Sequence, residues 1–312
     1  MNTTNNKSLL DVDQLSEVDI QNIMNEADKL SNDNIESTKK YNSGKSVLTL
    51  FYENSTRTRT SFELAAKKLG ADVINISLGS SSVKKGESLL NTVKTLEAMQ
   101  FDLIIVRHSD AGAPYFISRN IDIPVINAGD GLHAHPTQTL LDVYTIQKKL
   151  GTLKNKKISI IGDILHSRVA RSNILGFSKL GANVYINSPK TLSLFKNKFF
   201  EGENSLVNFV DDIDHAIENA DVIMPLRIQL ERQEQGNIPS LREYSKYWGI
   251  NEEKIKIAKN NVMIMHPGPV NEGVEISSSL VHGDKSQINL QVKHGLFIRM
   301  AIIKTILSEA NK

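Results

Sequence analysis

Short apolar runs return along this chain with helix-length stretches between them, and that alternation restricts the fold more than any single residue does. The runs VLTLFY (47–52), DVINI (72–76), DLIIV (102–106) and IPVIN (123–127) have the length and the Val/Ile/Leu content of strands. Helix-like stretches at about 58–69, 87–100 and 110–119 separate them, and an amphipathic helix is predicted before them at 15–31. A longer helix is predicted from Pro136 to Leu150, followed by a polar, lysine-rich turn. The pattern then restarts with KISIIG (157–162), ANVYI (182–186), LVNFV (206–210), DVIMP (221–225) and VMIMH (262–266), with helices at about 167–180, 212–219 and 251–259. Strands covered on both faces read as near-continuous apolar runs, which is the mark of a parallel sheet built from βαβ units. The prediction is an α/β chain of two doubly wound parallel-sheet domains, residues 1–147 and 148–291, with helices on both faces. The apolar end, 292–312, is predicted as a C-terminal helix that packs back on the first domain.

Composition narrows the function classes. The chain has 312 residues, 40% hydrophobic and 23% charged, enough apolar mass for one large core or two smaller ones. A formal net charge of +2 gives no bulk attraction for nucleic acid or a membrane surface, so anion binding must come from local clusters. The absence of cysteine removes disulfides, thiolate metal sites and Cys nucleophiles together. The N-terminus lacks a signal-peptide pattern and no apolar run approaches a membrane span, so a soluble cytoplasmic protein is expected.

Ligands of open parallel sheets bind beyond the carboxyl ends of the strands, so the segments that follow each strand carry the functional question. Ser55-Thr56-Arg57-Thr58-Arg59 follows the first run and opens a helix. It reads either as a solvated capped turn or as a phosphate cradle, in which hydroxyls, helix N–H groups and a guanidinium converge on an anion; its place after a buried strand favours the cradle. In GLHAHPTQ (131–138), Pro136 suits a first helical position, which sets His135 at the helix entrance and Gln138 in its first turn. His133 and His135 read as metal ligands only weakly, with no HExxH-like partner; a neutral histidine at a helix N-terminus suits polarisation of a carbonyl. Arg107, Arg168 and Arg227 lie at or just past strand ends, with Gln229 two residues on, as in a pocket for a substrate with several negative charges. SLGSSSVKKGE (77–87) reads either as a solvated linker or as a lid that delivers a lysine. MHPGP (265–269) is a stiff turn whose fixed carbonyls can accept from an amine. GDILHS follows a strand but lacks GxGxxG, and no Walker A motif occurs, so nicotinamide and ATP readings are weak.

Taken in order, STRTRTSFE (55–63), HPTQTLLD (135–142), GDILHSRVARSN (162–173), LRIQLER (226–232) and HPGPVNEGVEI (266–276) resemble the motifs of the aspartate/ornithine carbamoyltransferase family. The likeness runs from about residue 45 to the closing helix. The last segment is similar to the aspartate-using members, since the ornithine-using ones typically carry a Cys in that turn and this chain has none. The resemblance implies transfer of the carbamoyl group of carbamoyl phosphate to the amine of L-aspartate, an early step of pyrimidine synthesis, without cofactor, metal or covalent intermediate. It implies that Ser55, Thr56, Arg57 and Thr58 bind the phosphate with Arg107 assisting. Arg57, Thr58 and His135 would polarise the carbonyl oxygen, and Gln138 would position the carbamoyl amide. Arg168, Arg227 and Gln229 would hold the aspartate carboxylates with Lys85, and Pro267 and Gly268 would offer carbonyls. Ser81 and Lys85 correspond to residues that the family supplies from a neighbouring subunit, which implies a homotrimer with shared sites. Binding of regulatory chains or of other pathway enzymes is left open. Two departures stand out: Asn54 where proline often precedes STRTR, expected to make that turn less stiff, and Glu272 where arginine is common, expected to add negative charge near the aspartate site.

Overall fold

A computed structural model describes residues 8–53, 55–77, 88–193, 205–229 and 240–309, apart from the side chains at 35 and 36. The chain divides into two units. Unit 1 comprises Met1–Leu141 and Lys293–Lys312, and unit 2 comprises Asp142–Val292. The first division falls inside a helix, a turn and a half before the 147/148 position read from the sequence.

Unit 1 opens with α1 (Glu17–Asn32) and the single turn α2 (Ile35–Thr38). Ser16 and Asp19 close a reciprocal capping box that fixes where α1 starts. Then follow β1 (Ser46–Phe51), α3 (Thr56–Lys68), β2 (Asp72–Ser77), α4 (Leu89–Ala98), β3 (Leu103–His108), α5 (Ala113–Asn120) and β4 (Val125–Asp130). All pairings are parallel, in the order β2-β1-β3-β4. β1, β3 and β4 are buried at nearly every position, while the edge strand β2 has no buried residue, which is why β1 and β3 read as the more continuously apolar runs. Leu48, Leu50, Ile104, Val106 and Val125 form one core with Val93, Leu96 and Ile117 of the helices. The chain leaves β1 for β2 on one side and returns for β3 on the other. Right-handed crossovers then place the connecting helices on opposite faces, and the reversal lies between the carboxyl ends of β1 and β3.

The helix α6 (Pro136–Leu150) leads from unit 1 into unit 2. Unit 2 continues with β5 (Lys157–Ile161), α7 (Arg168–Lys179), β6 (Asn183–Asn187), β7 (Val207–Phe209), α8 (Ile213–Ile217), β8 (Val222–Pro225), α9 (Leu241–Trp248), β9 (Met263–Ile264) and α10 (Ser278–His282). Its sheet is also parallel, ordered β7-β6-β5-β8-β9, so its reversal lies between β5 and β8. Ile161, Ile223, Ile264, Ala216 and Ile217 lie in its core. The helix expected at 251–259 is only a 3-10 turn at Lys254–Ile257, and α9 and α10 were not anticipated from the sequence.

The last helix, α11 (Ile288–Glu309), buries Ile298, Ala301, Ile302, Ile303, Ile306 and Leu307. Within unit 1, its Arg299 donates to Ser61 Oγ (2.9 Å) and lies over the Phe62 ring, and its Lys304 reaches Glu26 (2.6 Å). This is the return onto the first domain that its apolar sequence predicts. No helix among the described residues is long and apolar enough to cross a membrane.

Candidate active site

Each sheet offers one reversal point: Ser55–Thr58 and Arg107 lie at the first, Arg168, Arg227 and Gln229 at the second, while His135 and Gln138 follow β4 and Pro267 and Gly268 follow β9. In unit 1, β1 delivers Glu53 and Ser55, and β3 delivers Arg107 and His108, at neighbouring strand ends. Ser55 is the N-cap residue of α3, but its side chain makes no capping bond, so that hydroxyl is not committed to the helix. Thr56, Arg57 and Thr58 form the first turn of α3; Arg57 is exposed and Thr58 buried. Arg107 is held from three sides. Its Nε donates to Glu53 Oε2 (3.0 Å), and its Nη1 to Thr58 Oγ1 (3.3 Å) and to the Ala128 carbonyl (3.5 Å). Arg59 turns away instead, donating to Ser77 Oγ at 2.7 Å.

The segment between β4 and α6 is fixed by Asp130. Its carboxylate accepts from Gly112 N, from Asn127 Nδ2 and from Ala134 N, and His133 Nδ1 lies 3.0 Å from Oδ2. Burial raises the Asp130 carboxyl, but the bonds from His133, Gly112 and Asn127 outweigh it and leave the group below its ordinary value. The same bond holds His133 above the usual imidazole range, against its partial burial. His108, by contrast, is pushed down chiefly by burial; its ring packs 4.4 Å from that of Tyr52. His135 follows this clamp directly and precedes Pro136, the first residue of α6. Its carbonyl accepts from Gln138 N (3.0 Å), and both side chains are buried.

In unit 2, the segment after β5 carries Arg168 and the segment after β8 carries Arg227 and Gln229. Ser167 caps α7 by accepting from Ala170 N (3.1 Å), which sets Arg168 as its first residue; that arginine is 4% exposed, so its charge is largely withdrawn from bulk water. Arg227 Nη2 donates to Gln229 Oε1 at 3.4 Å. Asp163 ties the two segments together: Oδ1 accepts from His166 N (3.2 Å) and lies 2.8 Å from His166 Nδ1, and Oδ2 accepts from Gln229 N (3.1 Å). Gly162 makes the approach feasible. It has φ +122°, and a Cβ there would lie 2.5 Å from the buried Tyr244 hydroxyl. Pro267 and Gly268 follow β9 in a turn whose Gly268 N–H donates to His266 Nδ1 at 2.8 Å.

Ser81 and Lys85, and Asn54, lie outside the described residues. Glu272 is exposed and turned to α10, accepting from Ser278 Oγ (2.5 Å) with His282 Nε2 3.2 Å away. Sequence reasoning missed Glu53, Asp130 and Asp163, the carboxylates that hold the cationic and histidine-bearing segments. The only signal for them was a carboxylate at a strand end beside a glycine or an arginine segment.

The match to known proteins covers the chain. Residues 7–148 match the family model described as aspartate/ornithine carbamoyltransferase, carbamoyl-P binding domain, and residues 154–306 match its Asp/Orn binding domain. An aspartate carbamoyltransferase catalytic subunit of Ruminiclostridium cellulolyticum is 50% identical over 299 residues, 95% of this chain and 94% of that protein. One from Dehalococcoides mccartyi is 48% identical, over 95% of this chain and 90% of that protein. Among solved structures, the aspartate transcarbamoylase of Trypanosoma cruzi in complex with carbamoyl phosphate and aspartate superposes with a TM-score of 0.86 at 26% identity, covering 97% of each chain. The catalytic subunit of M. jannaschii aspartate transcarbamoylase gives 0.83 at 36% identity, covering 97% of this chain and 98% of that one.

Proposed function

This chain belongs to the aspartate/ornithine carbamoyltransferase family, and we propose that it transfers the carbamoyl group of carbamoyl phosphate to the amine of L-aspartate, giving N-carbamoyl-L-aspartate and phosphate. The observation that carries the site assignment is the reversal point of the first sheet, where Arg107 is drawn onto Thr58 in the first turn of α3. Backbone N–H groups, hydroxyls and a guanidinium meet there, which is the donor set a phosphate group needs.

Ser55, Thr56, Arg57, Thr58 and Arg107 hold the phosphate. Arg57, Thr58 and His135 donate to the carbonyl oxygen as it gains negative charge, and Gln138 orients the carbamoyl amide. Arg168, Arg227, Gln229 and Lys85 hold the aspartate carboxylates, and the Pro267 and Gly268 carbonyls accept from the amine or the amide. The amine nitrogen attacks the carbonyl carbon, the C–O bond to phosphate breaks, and phosphate departs with the bonding electrons and takes up an amine proton. No side chain need form a bond to carbon. Alignment supplies about 7–11 kcal/mol in favourable cases, and one oxyanion donor about 10²–10³ in rate. Ser81 and Lys85 come from the adjacent subunit of a homotrimer, and a cytoplasmic location goes with this reading.

Product formation from carbamoyl phosphate with aspartate or with ornithine, measured side by side, tests the acceptor. Activity with ornithine alone overturns the reading. Mixing Arg57→Ala and Lys85→Ala proteins tests the sharing of sites: reassorted trimers regain activity if one subunit supplies Lys85 to another's Arg57, and regain none if each site is built from one chain.

A further inference from the structure

Asp142 is fully buried on α6, and two side-chain amides hold its carboxylate. Asn173 Nδ2 donates to Oδ2 (2.9 Å) and Gln291 Nε2 donates to Oδ1 (2.7 Å). The other end of the same Gln291 amide, Oε1, accepts from His266 N at 2.9 Å. An ionised carboxylate is costly to bury, and a well-packed apolar residue fills such a space without that cost. What a carboxylate does that an apolar side chain cannot is fix direction. It only accepts, whereas an amide can face either way. Asp142 therefore forces Gln291 to turn its NH₂ inward and leaves its oxygen for the His266 N–H.

The order continues along the turn. His266 Nδ1 accepts from Gly268 N at 2.8 Å, which leaves the ring proton for Nε2, 3.3 Å from Glu275 Oε1. Glu275 Oε1 accepts from Asn271 N at 2.6 Å, closing the far side of the turn. The Pro267–Gly268 peptide is not among the cis bonds. A trans peptide points its C=O and N–H in opposite directions, so anchoring Gly268 N–H on the His266 ring aims the Pro267 carbonyl away from that ring.

We infer that Asp142 is a positioning residue for the transfer reaction: through Gln291 it sets the His266 backbone and so the direction of the Pro267 carbonyl. This rests on the aspartate carbamoyltransferase reading, in which that carbonyl touches a substrate. The relay predicts that its polarity can be reversed. In an Asp142→Asn, Gln291→Glu double variant, Asn173 donates to the new amide oxygen and the new NH₂ donates to the new carboxylate. That carboxylate still accepts from His266 N. Each single variant instead sets donor against donor or carboxylate against carboxylate.

Steady-state kinetics with carbamoyl phosphate and aspartate, on all four proteins and with melting curves alongside, test this. Each single variant loses about 10- to 100-fold in kcat, the scale of a misplaced contact, with KM for aspartate changed by less than about threefold. For Gln291→Glu, the kcat ratio to the parent rises as pH falls, because a protonated Glu can donate to Asp142. The double variant returns to within about threefold of the parent, with a ratio flat in pH. Parent-like kcat in both single variants overturns the inference. So does a double variant that fails to fold, or that folds but stays as slow as the worse single variant. If the single variants do not fold, the double variant alone decides by the same criteria. An inactive parent instead removes the functional reading on which the inference rests.

Discussion

Replacing Asp11 by Asn removes a charge that the fold has buried. The residue is 6% exposed, its Oδ1 accepts from Val12 N at 2.6 Å, and its Oδ2 lies 3.6 Å from His133 Nε2. Burial, aided by the nearby Asp13 and Asp130, pushes the carboxyl from 3.8 up to about 6, while Val12 N–H and His133 pull it down. Because the folded value exceeds the unfolded one, the folded state holds the proton more tightly. The native state therefore has its full stability below about pH 4 and loses part of it as pH rises to 6. At about 1.4 kcal/mol per pH unit, that rise removes about 3 kcal/mol. Asn keeps an acceptor for Val12 and never ionises. The attraction to His133 that it forgoes is worth about 1 kcal/mol or less, since that ring is 39% exposed. The expected result is equal stability of variant and parent near pH 4, and a variant more stable by about 2–3 kcal/mol above pH 6.5. Urea unfolding followed by far-UV circular dichroism at several values from pH 4 to 8 measures the difference. A difference that stays flat across this range, or a variant less stable at pH 7, refutes the reasoning.

Three further outcomes are expected. Gly162→Ala destabilises by about 2–5 kcal/mol and raises KM for aspartate, because the position has φ +122° and the new Cβ meets the buried Tyr244 hydroxyl; unchanged melting and kinetics would show that the loop after β5 relaxes freely. Arg107→Met lowers kcat/KM for carbamoyl phosphate about 10- to 100-fold, the worth of a charge-assisted hydrogen bond, and an effect confined to aspartate would place Arg107 elsewhere in the reaction. Glu272→Gln leaves kcat and KM for aspartate within about twofold, since the exposed carboxylate is engaged by Ser278 and His282; a large gain in aspartate affinity would mean that its charge acts on the substrate.

The strands were legible because a parallel strand covered on both faces must be apolar along its length, and VLTLF and LIIV have few other uses. Strand ends were less so. The run at 102–106 extends as β3 to His108, because pairing with β1 and β4 carries it past the last apolar residue. The region 251–259 looked helical by composition yet forms only a 3-10 turn. The residues proposed for the site stood out for a related reason: hydroxyls, arginines and histidines directly after apolar strand runs break the pattern of a core sequence, even though Thr58, His135 and Arg168 prove buried.

By itself, then, the sequence determined the α/β alternation, the return of the last helix, and the positions along the chain at which hydroxyls, arginines and histidines follow apolar strand runs, all of which depend on local periodicity and composition. Only the tertiary structure decided which groups meet. Glu53 and Arg107 are 54 residues apart, Asp163 and Gln229 66, and Asp142 and Gln291 149. Nothing local signals such pairs, because a carboxylate buried beside an amide looks in sequence like any solvated acid. The strand orders β2-β1-β3-β4 and β7-β6-β5-β8-β9 put distant strand ends side by side and give Glu53 and Asp163 their partners, while the start of α11 brings Gln291 to Asp142 on α6.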